Sequence, residues 1–425
     1  MDGAADYIAL AIPVFFLLIG IEVIVEKVTR AQLYRFNDAV ANISCGIGQQ
    51  VFGVFIKTLL LLGYIYLYEN HRFFDFPADQ WWTWLLLFIG VDFFYYWFHR
   101  YAHEISIMWG GHIVHHQSEE YNLSVALRQG AFQTLFSWMF YLPLGLIVFD
   151  PVTFVIVNQF QTLYQFWIHT KAINRLHPVF EFVFNTPSHH RVHHGINPKY
   201  IDKNHGGTLI IFDRMFGTFQ KEEEEVVYGV TKPLNSFNAV WANFDYLKDV
   251  FRLAFKTRNV IDFFKVFLMP PGWRPEYLGG PMKPGPVDAR SFKKFHVKVP
   301  GGLNIYVLVQ FAVVLGGSSL FLFKAAGFPE FYGTQAGWIW KVVTGGMVLL
   351  GIASLGGLLE GRRWALGAET LRLLGMAAMT PVWMPGTDND FIALAVVAGF
   401  TLGSLFWLGN YWGFFQQSHA AAKAV

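Results

Sequence analysis

The chain has 425 residues, of which 54% are hydrophobic and only 15% are charged, and its formal net charge at pH 7 is +2. A soluble protein carries about 25% charged residues, so this composition indicates an integral membrane protein. The small net charge indicates no strong electrostatic bias toward nucleic acid or other acidic partners. The single cysteine, Cys45, excludes an intrachain disulfide and a cysteine-based metal site.

Apolar stretches near the length that spans a bilayer, roughly 20 residues, recur along the chain. In the N-terminal half they lie at 7–25, 47–68 and 82–98. Residues 131–168 form two shorter apolar arms separated by Phe149–Val152, which predict either two short spans or a re-entrant hairpin. A C-terminal group of about four transmembrane helices is predicted at 303–323, 336–358, 365–383 and 389–411.

The block at 169–300 is polar and rich in histidine, proline and glycine. Its acidic run, Lys221–Val227, predicts a solvated loop. Residues Pro270–Pro286 predict an irregular lid or linker, because proline and glycine interrupt regular structure.

Lysine and arginine concentrate in alternate connections between the spans. The segment after the first span is basic, as are 99–130, 169–300 and Gly361–Arg363, whereas the other connections hold few basic residues. The positive-inside rule therefore places both histidine-rich blocks on the cytoplasmic side, provided that the pair at 131–168 returns to its starting side. The membrane is expected to be the endoplasmic reticulum in a eukaryote or the inner membrane in a bacterium.

Eight of the 15 histidines form three clusters. The first has i,i+4 spacing, and the other two have i,i+3,i+4 spacing; they are His99 and His103, then His112, His115 and His116, then His190, His193 and His194. Residues three and four apart share one face of a helix. We therefore expect each cluster to aim its imidazoles at one point.

A single buried histidine is ordinarily a hydrogen-bonded core residue, but a repeated pattern of eight predicts metal binding. Neutral imidazole is the commonest metal ligand among side chains. One zinc ion takes at most about four ligands, so eight histidines predict two ions. Imidazole suits zinc, copper, iron and nickel about equally, and the histidines alone do not choose among them.

The clusters lie where predicted spans end. The first follows the span at 82–98 directly, and the third follows the return of the pair at 131–168. Metal ions held there would sit just below the membrane surface, within reach of a lipid whose tail stays in the bilayer. This position favours oxidation of a lipid by O₂ over hydrolysis of a soluble molecule.

The three clusters resemble the histidine boxes of a known family. "HRYAHE", "GGHIVHHQSEEYNLSVALRQG" and "PSHHRVHHGIN" are similar to the boxes of the fatty acid hydroxylase/sterol desaturase superfamily, over about 85–220. Its members are integral-membrane di-iron oxygenases. Trp167–Phe219 is most similar to alkylglycerol monooxygenase-like members of that superfamily. The resemblance implies that the eight histidines bind two iron ions.

Further residues are implicated less directly. By resemblance, His169 is a ninth ligand or a partner of one. His189 is a further candidate for either role, with a structural role as the alternative, because it faces about 100° away from its neighbour in the third cluster on a helix. His205 is a weaker candidate ligand. Asp92 and Glu104 are expected to accept the free ring N–H of a liganding histidine, and Asp202 and Asp213 are candidates for the same role. We expect Arg128 to meet a lipid headgroup or to snorkel at the interface.

The resemblance implies a monooxygenase that hydroxylates a lipid C–H with O₂ and external electrons, including cleavage of alkylglycerol ethers. The chain shows no flavin motif, CxxC or haem-binding domain, so the electrons are expected from a partner or a diffusible reductant. The resemblance implies tetrahydrobiopterin or a cytochrome b5- or ferredoxin-type protein as that donor. The same di-iron centre in a lipid or sterol desaturase is an alternative. A metal or haem transporter or sensor is another, although transporters place ligands near the bilayer midplane.

These expectations give an all-α, polytopic membrane protein with a cytosolic, histidine-rich helical cap. The predicted regions are N-terminal transmembrane helices at 1–80, the di-iron catalytic region at 81–225, a cytosolic linker or lid at 226–300, and C-terminal transmembrane helices at 301–425.

Overall fold

A computed structural model describes residues 7–74, 76–147, 149–325, 333–383 and 390–416. Regular structure in these residues is helical, and the β-type pairing consists of two isolated bridges, Phe184–Leu209 and Gly195–Tyr228. The prediction of an all-α fold is confirmed.

The N-terminal half begins with three helices of 23, 36 and 24 residues, continues with two short helices of 11 and 4 residues, and ends with two helices of 14 and 17 residues. They are α1 (Tyr7–Thr29), α2 (Phe36–His71), α3 (Trp81–Glu104), α4 (Ser106–His116), α5 (Leu123–Ala126), α6 (Thr134–Ile147) and α7 (Pro151–Trp167). The polar block that follows contains α8 (Pro178–Val183), α9 (Pro187–His193), α10 (Ile211–Phe216), α11 (Ala239–Ala242), α12 (Asp245–Ala254) and α13 (Val260–Leu268). The C-terminal helices are α14 (Gly301–Lys324), α15 (Thr334–Leu359), α16 (Arg363–Trp383) and α17 (Asp390–Gly409).

Four helices in the described part of the chain are long and apolar enough to cross a membrane. They are Phe36–His71, Gly301–Lys324, Gln335–Leu359 and Phe391–Gly409. Three of them lie in the predicted C-terminal transmembrane group. The chain is therefore a multi-pass membrane protein.

The apolar pair predicted at 131–168 is two short helices. Helix α6 has 14 residues and α7 has 17. At 1.5 Å per residue they are about 21 and 26 Å long, short of the roughly 30 Å hydrocarbon core. The Asp150 carboxylate starts α7 by accepting the backbone N–H of Thr153 at 2.8 Å. These lengths favour the re-entrant hairpin over two full spans.

The described chain separates into two compact units. The first contains the described residues of 1–46, 55–234 and 243–294, and it carries all three histidine clusters. The second contains 47–54, 235–242 and the described residues from 295 onward.

In the first unit, an aromatic core holds the helix that carries the first cluster. Tyr64 of α2, Leu87 of α3, Tyr141 of α6 and Phe154 of α7 are buried together. The Tyr64 hydroxyl also donates to the Phe149 carbonyl at 3.0 Å, which ties α2 to the turn of the α6–α7 hairpin. This packing fixes α3, and with it the direction of its C-terminal turn.

The connection between α5 and α6 approaches α4 so closely at Gly130 that only glycine fits there. A Cβ at Gly130 would overlap the carbonyl oxygen of Gly111 in α4. This contact brings the chain after α5 against the helix of the second cluster.

The segment predicted as a linker or lid is partly helical. It contains α12 and α13, which the composition of the block did not indicate. Pro270–Pro286 is irregular apart from a 3₁₀ turn at Glu276–Leu278.

The second unit has a buried polar network. Glu369 and Arg372 of α16 lie one turn apart, with the guanidinium 2.6 Å from the carboxylate. Tyr306 of α14 and Ser354 of α15 donate to the same carboxylate at 2.9 and 2.7 Å. Three helices therefore meet at one charged pair.

Candidate metal centre

Nine buried histidines form two groups in which one ring nitrogen of each residue lies within 4.8 Å of the others. The first group has five histidines and the second has four: His99, His103, His112, His116 and His193, then His115, His169, His190 and His194. All eight histidines of the three clusters belong to these groups, and His169 is the ninth.

The second and third clusters are each divided between the two groups. His112 and His116 belong to the first group, whereas His115 belongs to the second. His190 and His194 belong to the second group, whereas His193 belongs to the first. The expectation that each cluster aims at one point therefore holds only for His99 and His103. Adjacent residues diverge by about 100° around a helix, which sends neighbouring imidazoles to different groups.

Ring nitrogens of the first group face each other at short range. Nε2 of His112 lies 2.9 Å from Nε2 of His99 and 3.1 Å from Nε2 of His116. Nδ1 of His99 donates to the His205 carbonyl at 2.8 Å, and Nδ1 of His112 donates to Oε1 of Gln133 at 2.7 Å. Carbonyl oxygens only accept, so both Nδ1 atoms carry protons and both Nε2 atoms present lone pairs. The 2.9 Å contact is therefore not a hydrogen bond.

The second group repeats this arrangement. Nε2 of His169 lies 3.2 Å from Nε2 of His115 and 2.9 Å from Nε2 of His190. Nδ1 of His169 donates to the Gln165 carbonyl at 2.7 Å, and Nδ1 of His115 donates to the Arg128 carbonyl at 2.8 Å. Unprotonated Nε2 atoms of His169 and His115 again face each other.

The donor set fits a metal ion in each group. Two nitrogens that each bind one ion at about 2.1 Å lie about 3 Å apart at a near-right angle, which matches these separations. A shared cation removes the repulsion between facing lone pairs. In addition, Nε2 of His103, His193 and His194 is buried and has no hydrogen-bond partner in the described structure. These nitrogens are further available donors.

The electrostatic surroundings keep the imidazoles neutral. Burial lowers the pKa of both His112 and His169 from 6.5 to about 4. Burial, followed by neighbouring histidines, holds the pKa of His115, His190 and His194 well below 6.5. Neutral imidazole is the form that binds metal, so the groups are ready for ions at physiological pH.

The two remaining candidate ligands, His189 and His205, lie outside both groups. The ring of His189 turns away toward Phe219, and its Nδ1 lies 3.4 Å from the Thr186 hydroxyl. His205 is fully buried beside the first group, with its ring centroid 5.1 Å from that of His103. Neither ring nitrogen of His205 has a hydrogen-bond partner in the described structure.

Within the described residues, the carboxylates Asp92 and Glu104 hydrogen-bond to no histidine ring. Asp92 accepts the backbone N–H groups of Thr208 and Leu209 at 2.7 and 2.8 Å, and Glu104 pairs with Arg100 at 2.9 Å. Backbone carbonyls and the side-chain oxygen of Gln133 orient the histidines in place of Asp92 and Glu104. Asp92 instead fixes the loop that follows His205.

Asp202 and Asp213 lie closer to the groups. An Asp202 oxygen is 3.6 Å from Nδ1 of His103. Asp213 accepts the backbone N–H groups of His205 and Gly206, both at 2.7 Å. Asp213 therefore holds the loop whose carbonyl orients a ring of the first group.

Two arginines support the groups from behind. Arg128 is buried, and its guanidinium donates to the Val114 carbonyl at 2.6 Å and to Asn42 at 3.1 Å. The expectation that Arg128 meets a headgroup or snorkels is wrong, because α2 and α4 enclose it. Arg191, between His190 and His193, forms a two-point ion pair with Glu222 at 2.7 and 2.8 Å.

Comparisons with known proteins agree with this site. A family model for fatty acid hydroxylases matches residues 84–218, which include both histidine groups. The chain is 41% identical to an alkylglycerol monooxygenase of Homo sapiens over 382 residues, which are 88% of this chain and 82% of that protein. The chain belongs to the alkylglycerol monooxygenase family. A Xenopus tropicalis member is 37% identical over 409 residues, 96% of this chain and 89% of that protein.

A more distant relative is similar over a shorter stretch of the chain. An ornithine lipid hydroxylase of Rhizobium tropici is 28% identical over 156 residues, 36% of this chain and 46% of that protein. No solved structure matches the chain. The protein is a membrane-bound oxidoreductase of the lipid monooxygenase class, and its histidine groups fit an iron-dependent oxygenase.

Proposed function

We propose that the protein hydroxylates the carbon next to the ether oxygen of an alkylglycerol at a centre of two iron ions. One atom of O₂ enters the substrate and the other leaves as water, with two electrons and two protons supplied from outside. The product is a hemiacetal, which separates into a fatty aldehyde and glycerol.

The observation that carries this proposal is the pair of adjacent groups made of imidazoles alone. His99, His103, His112, His116 and His193 would hold one ion, and His115, His169, His190 and His194 the other. When bound, the two ions would supply the redox chemistry that activates O₂. His205 lies beside the first group and is a further candidate to support its ligands without binding the ion itself.

The protein's own residues orient the donors and exclude water. The carbonyls of Arg128, Gln165 and His205 each hold one imidazole Nδ1–H, which fixes the ring with Nε2 toward its group. All nine histidines are at most 6% exposed. A closed site protects reactive species from side reactions with water.

Similarity over most of the chain supports the alkylglycerol substrate. The alignments with the Homo sapiens and Xenopus tropicalis relatives cover 88% and 96% of this chain, whereas the alignment with the ornithine lipid hydroxylase covers 36%. The charge asymmetry of the connections supports a site on the cytoplasmic side. In a eukaryote this membrane would be the endoplasmic reticulum, and in a bacterium the inner membrane.

The electron donor is external in this proposal, either tetrahydrobiopterin or a cytochrome b5- or ferredoxin-type protein. Purified protein in nanodiscs would be given each donor with a long-chain 1-O-alkylglycerol. Turnover with the pterin alone would identify a diffusible reductant, and turnover only with the reduced protein would identify a partner.

The test measures bound metal and products in the same samples. His115→Ala and His190→Ala should each lose iron and aldehyde formation, whereas His296→Ala, at an exposed position, should keep both. His189→Ala should keep iron, because its ring lies outside both groups.

Three outcomes would contradict the proposal. Full iron and turnover in His190→Ala would refute the assignment of that group. A product that has lost two hydrogens and gained no oxygen would identify a desaturase. A single tightly held zinc without O₂ consumption would favour a transporter or sensor.

A further inference from the structure

Helices α12 and α13 form a hairpin with an apolar face that is open to the surroundings. The exposed side chains follow helical spacing along both helices. Their exposed fractions are 46% for Phe251, 77% for Phe255, 71% for Val260, 68% for Ile261, 56% for Phe264 and 62% for Leu268. Isolated surface hydrophobics are ordinary, but a contiguous face of this kind indicates a binding surface.

This outer face is additional to a complete inner core. Val250 and Ala254 of α12 pack with Val266 of α13 and with Trp273. The core also continues to α4, because Ser106 lies 2.9 Å from the Tyr246 hydroxyl. Helix α13 is thus apolar on both sides, a pattern expected for a helix that protein covers on one side and lipid on the other.

Basic side chains run beside the apolar face. Arg252 and Lys256 are exposed, one turn apart, and each follows directly after an exposed phenylalanine. The hairpin's carboxylates are engaged elsewhere, since Asp245 pairs with Lys248, Asp249 with Lys232, and Asp262 accepts the Tyr277 hydroxyl. The edge of the apolar face is therefore positively charged.

We propose that the α12–α13 hairpin lies in the bilayer interface, with its apolar face among acyl chains and Arg252 and Lys256 at anionic headgroups. A short amphipathic helix with aromatic side chains on one face and cations at its edge is typical of interfacial anchors. Anionic lipid complements this edge in charge, which a hydrophobic protein partner or a second copy would not.

The α12–α13 hairpin is connected to the metal centre through α4. The backbone N–H of Ser106, at the start of α4, donates to the Met269 carbonyl at 3.0 Å, just after α13. Helix α4 carries His112, His115 and His116. A hairpin embedded in the interface holds this helix at the depth where a membrane lipid presents its headgroup.

Nitroxide labels test the position of the hairpin directly. Cys45 is the single cysteine and is 1% exposed, so it does not compete for a thiol label. Phe255→Cys and Ile261→Cys would be labelled in the full chain, in nanodiscs of phosphatidylcholine and phosphatidylglycerol. Lys221→Cys, in the exposed acidic run, is the matched control. Accessibility to O₂ and to a water-soluble nickel chelate gives the depth of each label.

We expect the labels at 255 and 261 to be more accessible to O₂ than to nickel, and the control label to show the reverse. Hairpin labels as open to nickel as the control would overturn the proposal. Labels shielded from both reagents, with spin–spin broadening between chains, would also overturn it and would identify a second copy as the occupant.

A second comparison isolates the charges. Replacing phosphatidylglycerol by phosphatidylcholine should lower the ratio of O₂ to nickel accessibility at 261. The double variant Arg252→Gln/Lys256→Gln, combined with Ile261→Cys, should lose most of this dependence on lipid charge. An unchanged dependence in the double variant would refute the role of the two cations.

Discussion

At the scale of single residues, the i,i+3,i+4 spacing of the second and third clusters explains how three clusters build two groups. In both His112–His116 and His190–His194, the residues four apart share a group, and the third histidine turns to the other one. The same i,i+3,i+4 spacing thus supplies two ligands to one group and one to its neighbour. Each of the two helices with this spacing, α4 and α9, therefore contributes histidines to both groups and keeps the groups side by side.

The buried histidines make the metal-free protein sensitive to acid. The pKa of His112 and of His169 is about 4 in the folded protein, against 6.5 ordinarily. The unfolded chain therefore binds protons at a higher pH than the folded chain does. The free energy of unfolding should be full above about pH 6.5 and should fall toward pH 4, by about 3 kcal/mol for each of these histidines.

The measurement is the unfolding temperature of the chelator-treated protein in detergent between pH 4 and pH 7.5. Metal-free His112→Gln removes one of the titrating rings, so its stability should fall less steeply with acid. Equal slopes in the two proteins, or a flat profile in the unsubstituted chain, would contradict the prediction.

The spacing predicted that the eight cluster histidines come together at a site, because i,i+4 neighbours on a helix share a face. It did not predict which histidines share an ion, since that depends on how α4 and α9 face each other. His169 was indicated by the resemblance rather than by spacing, as it stands alone after α7. The role of Asp92 was predicted from its place on the face of His99, but the Thr208 and Leu209 N–H groups, far away in sequence, take its oxygens.

At the scale of elements, the short helix α9 depends on contacts outside itself. It has seven residues, too few to be stable alone. Arg191 of α9 donates to the carbonyls of Ile173 and Asn174 at 2.7 and 3.1 Å, and it pairs with Glu222. This arginine therefore fixes α9 to the turn that follows His169 and to the acidic run.

The prediction of a solvated loop for the acidic run Lys221–Val227 was made from its charge. It fails for Val226 and Val227, which are buried, and for Glu222, which is half-buried. Glu222 accepts both Arg191 and the Ser188 hydroxyl, the latter at 2.9 Å. Glu223 beside it is exposed and pairs with Lys199. Four consecutive glutamates look alike in a sequence. Only the packing of α9 determines that Glu222, the first of the four, forms the ion pair with Arg191.

Glu222→Gln should loosen α9. A glutamine cannot offer a two-oxygen anion to the guanidinium, and it leaves the buried charge of Arg191 uncompensated. We expect the protein to lose about 3 kcal/mol of unfolding free energy and to bind iron about 10- to 100-fold more weakly. Glu223→Gln is the matched control and should change neither property. Thermal unfolding and iron retention against a chelator provide the comparison, and similar behaviour of the two variants would refute it.

At the scale of the whole molecule, composition predicted a multi-pass membrane protein and an all-α fold, and both are confirmed. Long apolar runs must form helices in a bilayer, because the backbone has no other partner for its hydrogen bonds there. The hairpin α12–α13 was not predicted, because two short amphipathic helices leave little signal in a polar block. The charged pair in α16 could be read as two isolated residues only, since its other partners come from α14 and α15.

The Glu369–Arg372 pair gives the last prediction. Both side chains are at most 5% exposed, and Gln310 accepts from the same guanidinium. Removing one partner of a buried pair leaves an uncompensated charge, which costs about 3–5 kcal/mol, whereas replacing both by apolar residues of similar volume is often nearly neutral. Glu369→Gln and Arg372→Met should therefore each lower the unfolding temperature of the protein in nanodiscs more than Glu369→Leu/Arg372→Met does. The polar groups of Tyr306 and Ser354 would lose a partner in the double variant, so we expect a small residual loss. A double variant less stable than either single one would show that this network stabilises the helices beyond compensating its own charges.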